Sequence, residues 1–228
     1  MSDQTITATA TQFTAAGATA SGYLARPAQL TSAPALILIQ EWWGLNDHIK
    51  DIARRYAGEG FITAAVDLYD GTVTKDAAEA GKLMASLDPA QALQYLQTTI
   101  NYLRSLPEVT SVGVTGFCMG GVYTILAACH HPVDAAVAFY GVPDDLSVLA
   151  NLSCPLLAIG GEKDQWITVA KMERLSETLK QYGKDGEVKI YAGAEHAFFN
   201  DTRAEVYSPA DAQDVWQRAL GFFRQHLK

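Results

Sequence analysis

Cys118 stands in Gly116-Phe117-Cys118-Met119-Gly120-Gly121, after the apolar run Val112-Gly113-Val114-Thr115 and before the helical stretch Val122–Ala128. A nucleophile on a sharp strand-to-helix turn needs small neighbours. Side chains two residues either side of it strike adjacent backbone, and the nucleophile itself takes a strained conformation. Such a turn lifts the thiol above the sheet and sets it at a helix N-terminus, where the dipole favours thiolate. The amide of Met119 then faces any oxyanion formed on a substrate at Cys118. Most free cysteines are small buried core residues, so the pattern gains weight only from what accompanies it.

A thiol nucleophile needs a base, and His196 occupies the loop Tyr191–Asn200 directly after an expected strand. The other histidines fall on helices: His48 near the start of one, His130 and His131 at the end of the next after Cys118, and His226 in the last turn of the chain. The base needs an acid to fix its tautomer. Pro155–Gly161 runs into Glu162-Lys163-Asp164, offering both acids, and Asp164 is favoured because it sits deeper in the loop. Nucleophile, acid, base is the chain order of α/β-hydrolases, and it differs from the orders of other triad folds. An unperturbed cysteine is only about 3% thiolate at pH 7. A positioned imidazole raises that fraction and returns the proton to the leaving group, worth ~10²–10⁴-fold.

The elements that must hold these groups follow from periodicity. Residues 5–25 read as a β-hairpin around Ala16-Gly17. Strands are expected over 35–39, 61–66, 111–117, 134–140, 155–160 and 187–192. Helices are expected after the Asn46 cap, on either side of Asp88-Pro89 within 75–105, and over 119–130, 168–183 and 210–227. Strands alternating with helices imply a mostly parallel sheet with helices on both faces, with ligands at the strands' carboxyl ends. One domain spanning 1–228 is expected, since no linker or repeat divides the chain.

Composition narrows the partners. The net charge of −8 and the absence of a Lys/Arg cluster argue against a nucleic-acid surface. The N-terminal stretch reads as neither a secretory signal nor a membrane span. Cys118, Cys129 and Cys154 are widely spaced, with no C-x-x-C pair, so neither a disulfide framework nor a metal site is indicated. A cytoplasmic chain without cofactor, acting on a small ester or lactone, is the expectation. The oligomeric state is left open, a monomer being one option.

With these motifs placed, the chain resembles the dienelactone hydrolase (carboxymethylenebutenolidase) family. The matching segments are Gln40-Glu41-Trp42-Trp43-Gly44, Asp67-Leu68-Tyr69-Asp70-Gly71, Gly116–Gly121, Gly160-Gly161-Glu162-Lys163-Asp164 and His196-Ala197-Phe198-Phe199. The resemblance implies an α/β-hydrolase fold with an eight-stranded sheet and a Cys118-Asp164-His196 triad. It also implies that Glu41 pairs with the resting thiol and helps generate thiolate, with a second oxyanion amide at Trp42. Members acting on dienelactone hold its carboxylate with arginines. Here position 200 is Asn200, the nearest arginine is Arg203, and none lies between Arg55 and Arg104. Trp43, Tyr69 and Phe198, with Trp42 and Phe199, suggest an aromatic pocket instead.

Two other classes compete. Class I glutamine amidotransferases also use a strand-turn-helix cysteine but follow their histidine with x-Glu, whereas His196 is followed by Ala197-Phe198. A redox-sensing or ligand-binding domain would oxidise Cys118 rather than acylate it.

Overall fold

The computed structural model describes residues 5–228. In chain order the elements are β1 (Ile6–Ala15), β2 (Ala18–Pro27), β3 (Ala33–Ile39), α1 (Asp47–Gly58), β4 (Ile62–Val66), α2 (Ala77–Ser86), α3 (Pro89–Ser105), β5 (Val109–Phe117), α4 (Met119–His130), β6 (Ala135–Phe139), β7 (Leu156–Gly161), α5 (Val169–Gln181), β8 (Gly186–Tyr191) and α6 (Pro209–His226). A 3-10 turn over Leu146–Asn151, not foreseen from the sequence, precedes β7. The strands form one eight-stranded, mostly parallel sheet in the order β1-β2-β4-β3-β5-β6-β7-β8. The chain divides into two compact units, residues 1–114 with 227–228, and residues 115–226. That division falls inside the unbroken strand β5 rather than in a linker.

In the first unit, β1 and β2 pair antiparallel from Ile6↔Pro27 to Ala15↔Ala18. Their two-residue turn puts Ala16 and Gly17 at φ 52° and 80°, the left-handed pair that matches the twist of a hairpin. β2 continues antiparallel to β4, and β3 lies parallel to β4. Helix α1 shows how local chemistry sets an element's limits. Asn46 Oδ1 accepts from the Ile49 amide at 3.1 Å, and Ile49, Ile52, Ala53, Tyr56 and Ala57 are buried. At the other end Gly60, at φ 97°, donates to Ala57 O, and Phe61 donates to Tyr56 O. The Tyr56 and Phe61 rings then meet edge to face at 6.1 Å, completing a Schellman stop. Between α2 and α3, Asp88 caps the new helix through Ala90 N at 3.0 Å, with Pro89 in its first turn.

In the second unit β6, β7 and β8 are parallel, in the registers Ala136↔Leu156 and Leu156↔Gly186. Strands β6 and β7 are buried throughout, as continuous apolar runs covered on both faces must be. β7 and β8 end at Gly161 and Tyr191, and the site loops begin there. Among the described residues, no helix is long and apolar enough to cross a membrane.

Candidate active site

Cys118 takes φ 57° and ψ −116°, a conformation that L residues other than glycine rarely adopt, and it forms the N-cap of α4. Neighbouring backbone holds the turn. The Cys118 amide donates to Phe139 O at 3.0 Å, while its carbonyl accepts from Gly121 N at 2.9 Å and Val122 N at 3.2 Å. The elbow is thus tied to the end of β6, and two glycines permit that approach. A Cβ at Gly121 would lie 2.5 Å from Phe139 O, and one at Gly141 would lie 2.4 Å from Cys118 O. Gly141 went unnoticed in the sequence because it belongs to a different strand end. Its only sign there is its place directly after the β6 apolar run.

The three thiols differ sharply. Cys118 is half-buried, whereas Cys129 and Cys154 are buried. Burial pushes the Cys129 thiol up to about 11 and the Cys154 thiol up to about 12. Of the three, only Cys118 combines exposure with a helix N-terminus.

Asp164 is 2% exposed, and its Oδ2 lies 2.7 Å from His196 Nδ1. Its other oxygen, Oδ1, accepts from the amides of Trp166 and Ile167, both at 2.8 Å. Burial alone would raise this carboxyl. The hydrogen bond and charge of His196, with the two amides, outweigh it and hold the group below its ordinary value. Glu162, the competing acid, is exposed and turns away, its Oε2 accepting from Gly193 N at 2.8 Å. Its own amide reaches Tyr191 O, and Lys163 N reaches Ala194 O, both at 2.9 Å. Glu162 therefore stitches the acid's loop to the histidine's loop. Gly161 allows the close approach, since a Cβ there would meet Ala194 O at 2.4 Å.

The imidazole of His196 packs against Tyr140 at 5.1 Å and Trp166 at 4.9 Å between ring centroids. Neither aromatic was singled out in the sequence. Tyr140 is fully buried at φ 37°, and Trp166 is exposed. On the far edge of the imidazole, Nε2 is buried and makes no hydrogen bond. The structure therefore brings Asp164 and His196 together, but it does not close a hydrogen bond between His196 and Cys118.

The remaining expected residues fall in two groups. In the first unit Glu41 is 2% exposed, Trp42 and Trp43 are half-buried with rings meeting at 4.9 Å, and Tyr69 is buried. Gln40 Oε1 accepts from Leu68 N, and Asp67 accepts from the amides of Tyr69 and Gly71, so the loop after β4 is built by buried carboxyl and amide groups. In the second unit Met119 opens α4 immediately after Cys118. Phe198, expected on the pocket wall, is instead fully buried against Tyr140 and Tyr191. A ring with no solvent contact serves the core. Asn200 is also buried, its Oδ1 engaged by Thr202 N and Oγ1 at 3.0 and 2.6 Å. Arg203 is paired with Glu205 at 2.9 Å.

The model of the dienelactone hydrolase family matches residues 20–227. The chain belongs to the dienelactone hydrolase family. It is 35% identical to "Protein usf" of Aquifex pyrophilus, over 95% of this chain and 97% of that one. It is 33% identical to the "Putative carboxymethylenebutenolidase" of Aquifex aeolicus, over 95% and 98%. Among solved structures, the "Putative Dienelactone Hydrolase" of Klebsiella pneumoniae superposes with a TM-score of 0.90 at 33% identity, covering 97% of this chain and 99% of that one. This dienelactone-hydrolase-like chain is accordingly a hydrolase with the α/β-hydrolase fold.

Proposed function

We propose that the protein hydrolyses a small carboxylic ester or lactone through an acyl-enzyme on Cys118. The observation that carries this reading is the pairing of buried Asp164 Oδ2 with half-buried His196 Nδ1 at 2.7 Å, with Nε2 unengaged. A carboxylate on Nδ1 fixes the proton on that nitrogen and leaves Nε2 basic. The strained Cys118 supports the assignment of the nucleophile.

The thiol gives its proton to His196 Nε2, and the thiolate attacks the ester carbonyl. The amides of Met119 and Trp42 are the candidate donors to the resulting oxyanion, the kind of contact worth roughly 3–4 kcal/mol. The tetrahedral intermediate collapses with cleavage of the C–O bond, and the departing oxygen takes the proton from Nε2. Water then enters, loses a proton to Nε2 and attacks the thioester. Collapse releases the carboxylic acid, and the thiolate recovers the proton. Family resemblance adds that Glu41 activates the thiol once substrate is bound. An Nε2 without a hydrogen bond suits a resting state of that kind. The engaged Asn200 and Arg203 favour a substrate without a carboxylate to be clamped.

Mixing the protein with p-nitrophenyl acetate tests the proposal. A nitrophenolate burst with one acetyl group on Cys118 by mass spectrometry is expected, and Cys118→Ala and His196→Ala should each lose nearly all turnover. Undiminished turnover by Cys118→Ala would refute it. Oxidation of Cys118 by peroxide without any ester turnover would favour redox sensing instead.

A further inference from the structure

Trp166 has no role in the mechanism above, yet it is 54% exposed, the most exposed of the large hydrophobic side chains among the described residues. An indole left in water is ordinary on a loose surface loop. This one is not loose. Its own amide is held by Asp164 Oδ1 at 2.8 Å, and its ring lies 4.9 Å from the His196 ring, tilted by 51°. The carboxylate that orients the histidine therefore also anchors the tryptophan, and the two rings are fixed as a unit. From this we infer that Trp166 is the wall against which the alcohol portion of the substrate packs, making this chain selective for esters of aryl or arylalkyl alcohols. The inference rests on the hydrolytic role of His196 proposed above.

The direction follows from proton transfer. Nε2 must come within about 3 Å of the oxygen that leaves. The first carbons beyond that oxygen then lie within van der Waals reach of a ring packed on the same imidazole. The acyl portion extends from the carbonyl carbon on Cys118, away from that oxygen. An aromatic ring covering part of the exposed indole face would raise kcat/KM by about 10-fold over a methyl group, from buried apolar area and ring–ring contact together.

Two acetates of alcohols similar in acidity, benzyl and methyl, separate this from a general role, and methyl phenylacetate probes the acyl side. In Trp166→Ala the benzyl-to-methyl ratio of kcat/KM should fall about 10-fold, and Trp166→Phe should restore most of it. The methyl phenylacetate-to-methyl acetate ratio should not move. Saturation-transfer NMR with benzyl alcohol supplies a readout independent of turnover, and its signal should weaken in Trp166→Ala. A loss equal on both acetates, or confined to the acyl side, overturns the inference and leaves ester hydrolysis standing. If the wild type hydrolyses none of the esters, the proposed function fails. The NMR comparison then still decides the Trp166 surface: equal binding by wild type and Trp166→Ala overturns it.

Discussion

Replacing Asp164 by asparagine probes the site at its best-defined point. The side chain keeps its shape, and the two backbone amides on Oδ1 dictate how it sits. With Oδ1 accepting from Trp166 and Ile167 at 2.8 Å each, turning the amide over would lose two hydrogen bonds of about 1 kcal/mol apiece. The expected orientation is thus favoured by roughly thirty to one. It aims the new NH₂ at His196 Nδ1, which must then accept, so the ring proton moves to Nε2. A protonated neutral Nε2 cannot take the thiol proton. About 30-fold in rate goes to this tautomer, and losing a charged hydrogen bond to the imidazolium costs a further 1.5–3 kcal/mol, or roughly 10- to 150-fold. The expected fall in kcat/KM on p-nitrophenyl acetate is therefore about 300- to about 5,000-fold, with circular dichroism and urea unfolding confirming an intact fold. Asp164→Ala aims no donor at Nδ1 and should lose no more than the asparagine variant. A folded Asp164→Asn enzyme within about 10-fold of wild type would refute the reasoning, because His196 could not then be acting as a base through Nε2.

Glu162→Gln keeps an acceptor for Gly193 N and should change turnover by less than about 3-fold, whereas an orienting acid would lose far more on the same assay. Native protein treated with iodoacetamide at pH 8 should be alkylated at Cys118 alone. Thiols held at about 11 and about 12 are only ~0.1% and ~0.01% thiolate there, and peptide mapping with and without urea checks this. Gly141→Ala forces a Cβ against Cys118 O, with an expected loss of about 1–3 kcal/mol in urea unfolding and a matching drop in turnover. The depressed Asp164 carboxyl favours the native state fully above its unfolded value near 3.9, and that stability is lost as pH falls through the lower folded value. The gap in unfolding free energy between wild type and Asp164→Asn should accordingly shrink as pH falls from 5 to 3. Glu41→Gln should shift the pH profile of Cys118 alkylation, and an unchanged profile would remove Glu41 from thiol activation.

Much of this protein is written locally. Apolar runs such as Ala35–Ile39 announce buried strands, Asn46 and Asp88-Pro89 mark helix starts, and the glycines around Cys118 announce a tight turn, because each depends only on residues a few positions apart. The order of thiol, acid and histidine could be read as a candidate relay, with Asp164 favoured over Glu162 for its depth in the loop. The contact that separates the two acids was not legible. Glu162 and Asp164 share one loop and one chemistry, and the choice turns on which carboxylate meets the imidazole and which meets Gly193 N, both set by the separation of β7 and β8 loops in space. The same holds for Gly141, needed only because β6 ends against the elbow. It holds for Phe198, which reads like a pocket residue and packs as core, and for Trp166, whose place on the imidazole comes from the turn that Asp164 makes with its own chain. Sequence periodicity fixes what each segment becomes; contacts between segments far apart in the chain depend on register and burial, and those exist only once the strands have been brought side by side.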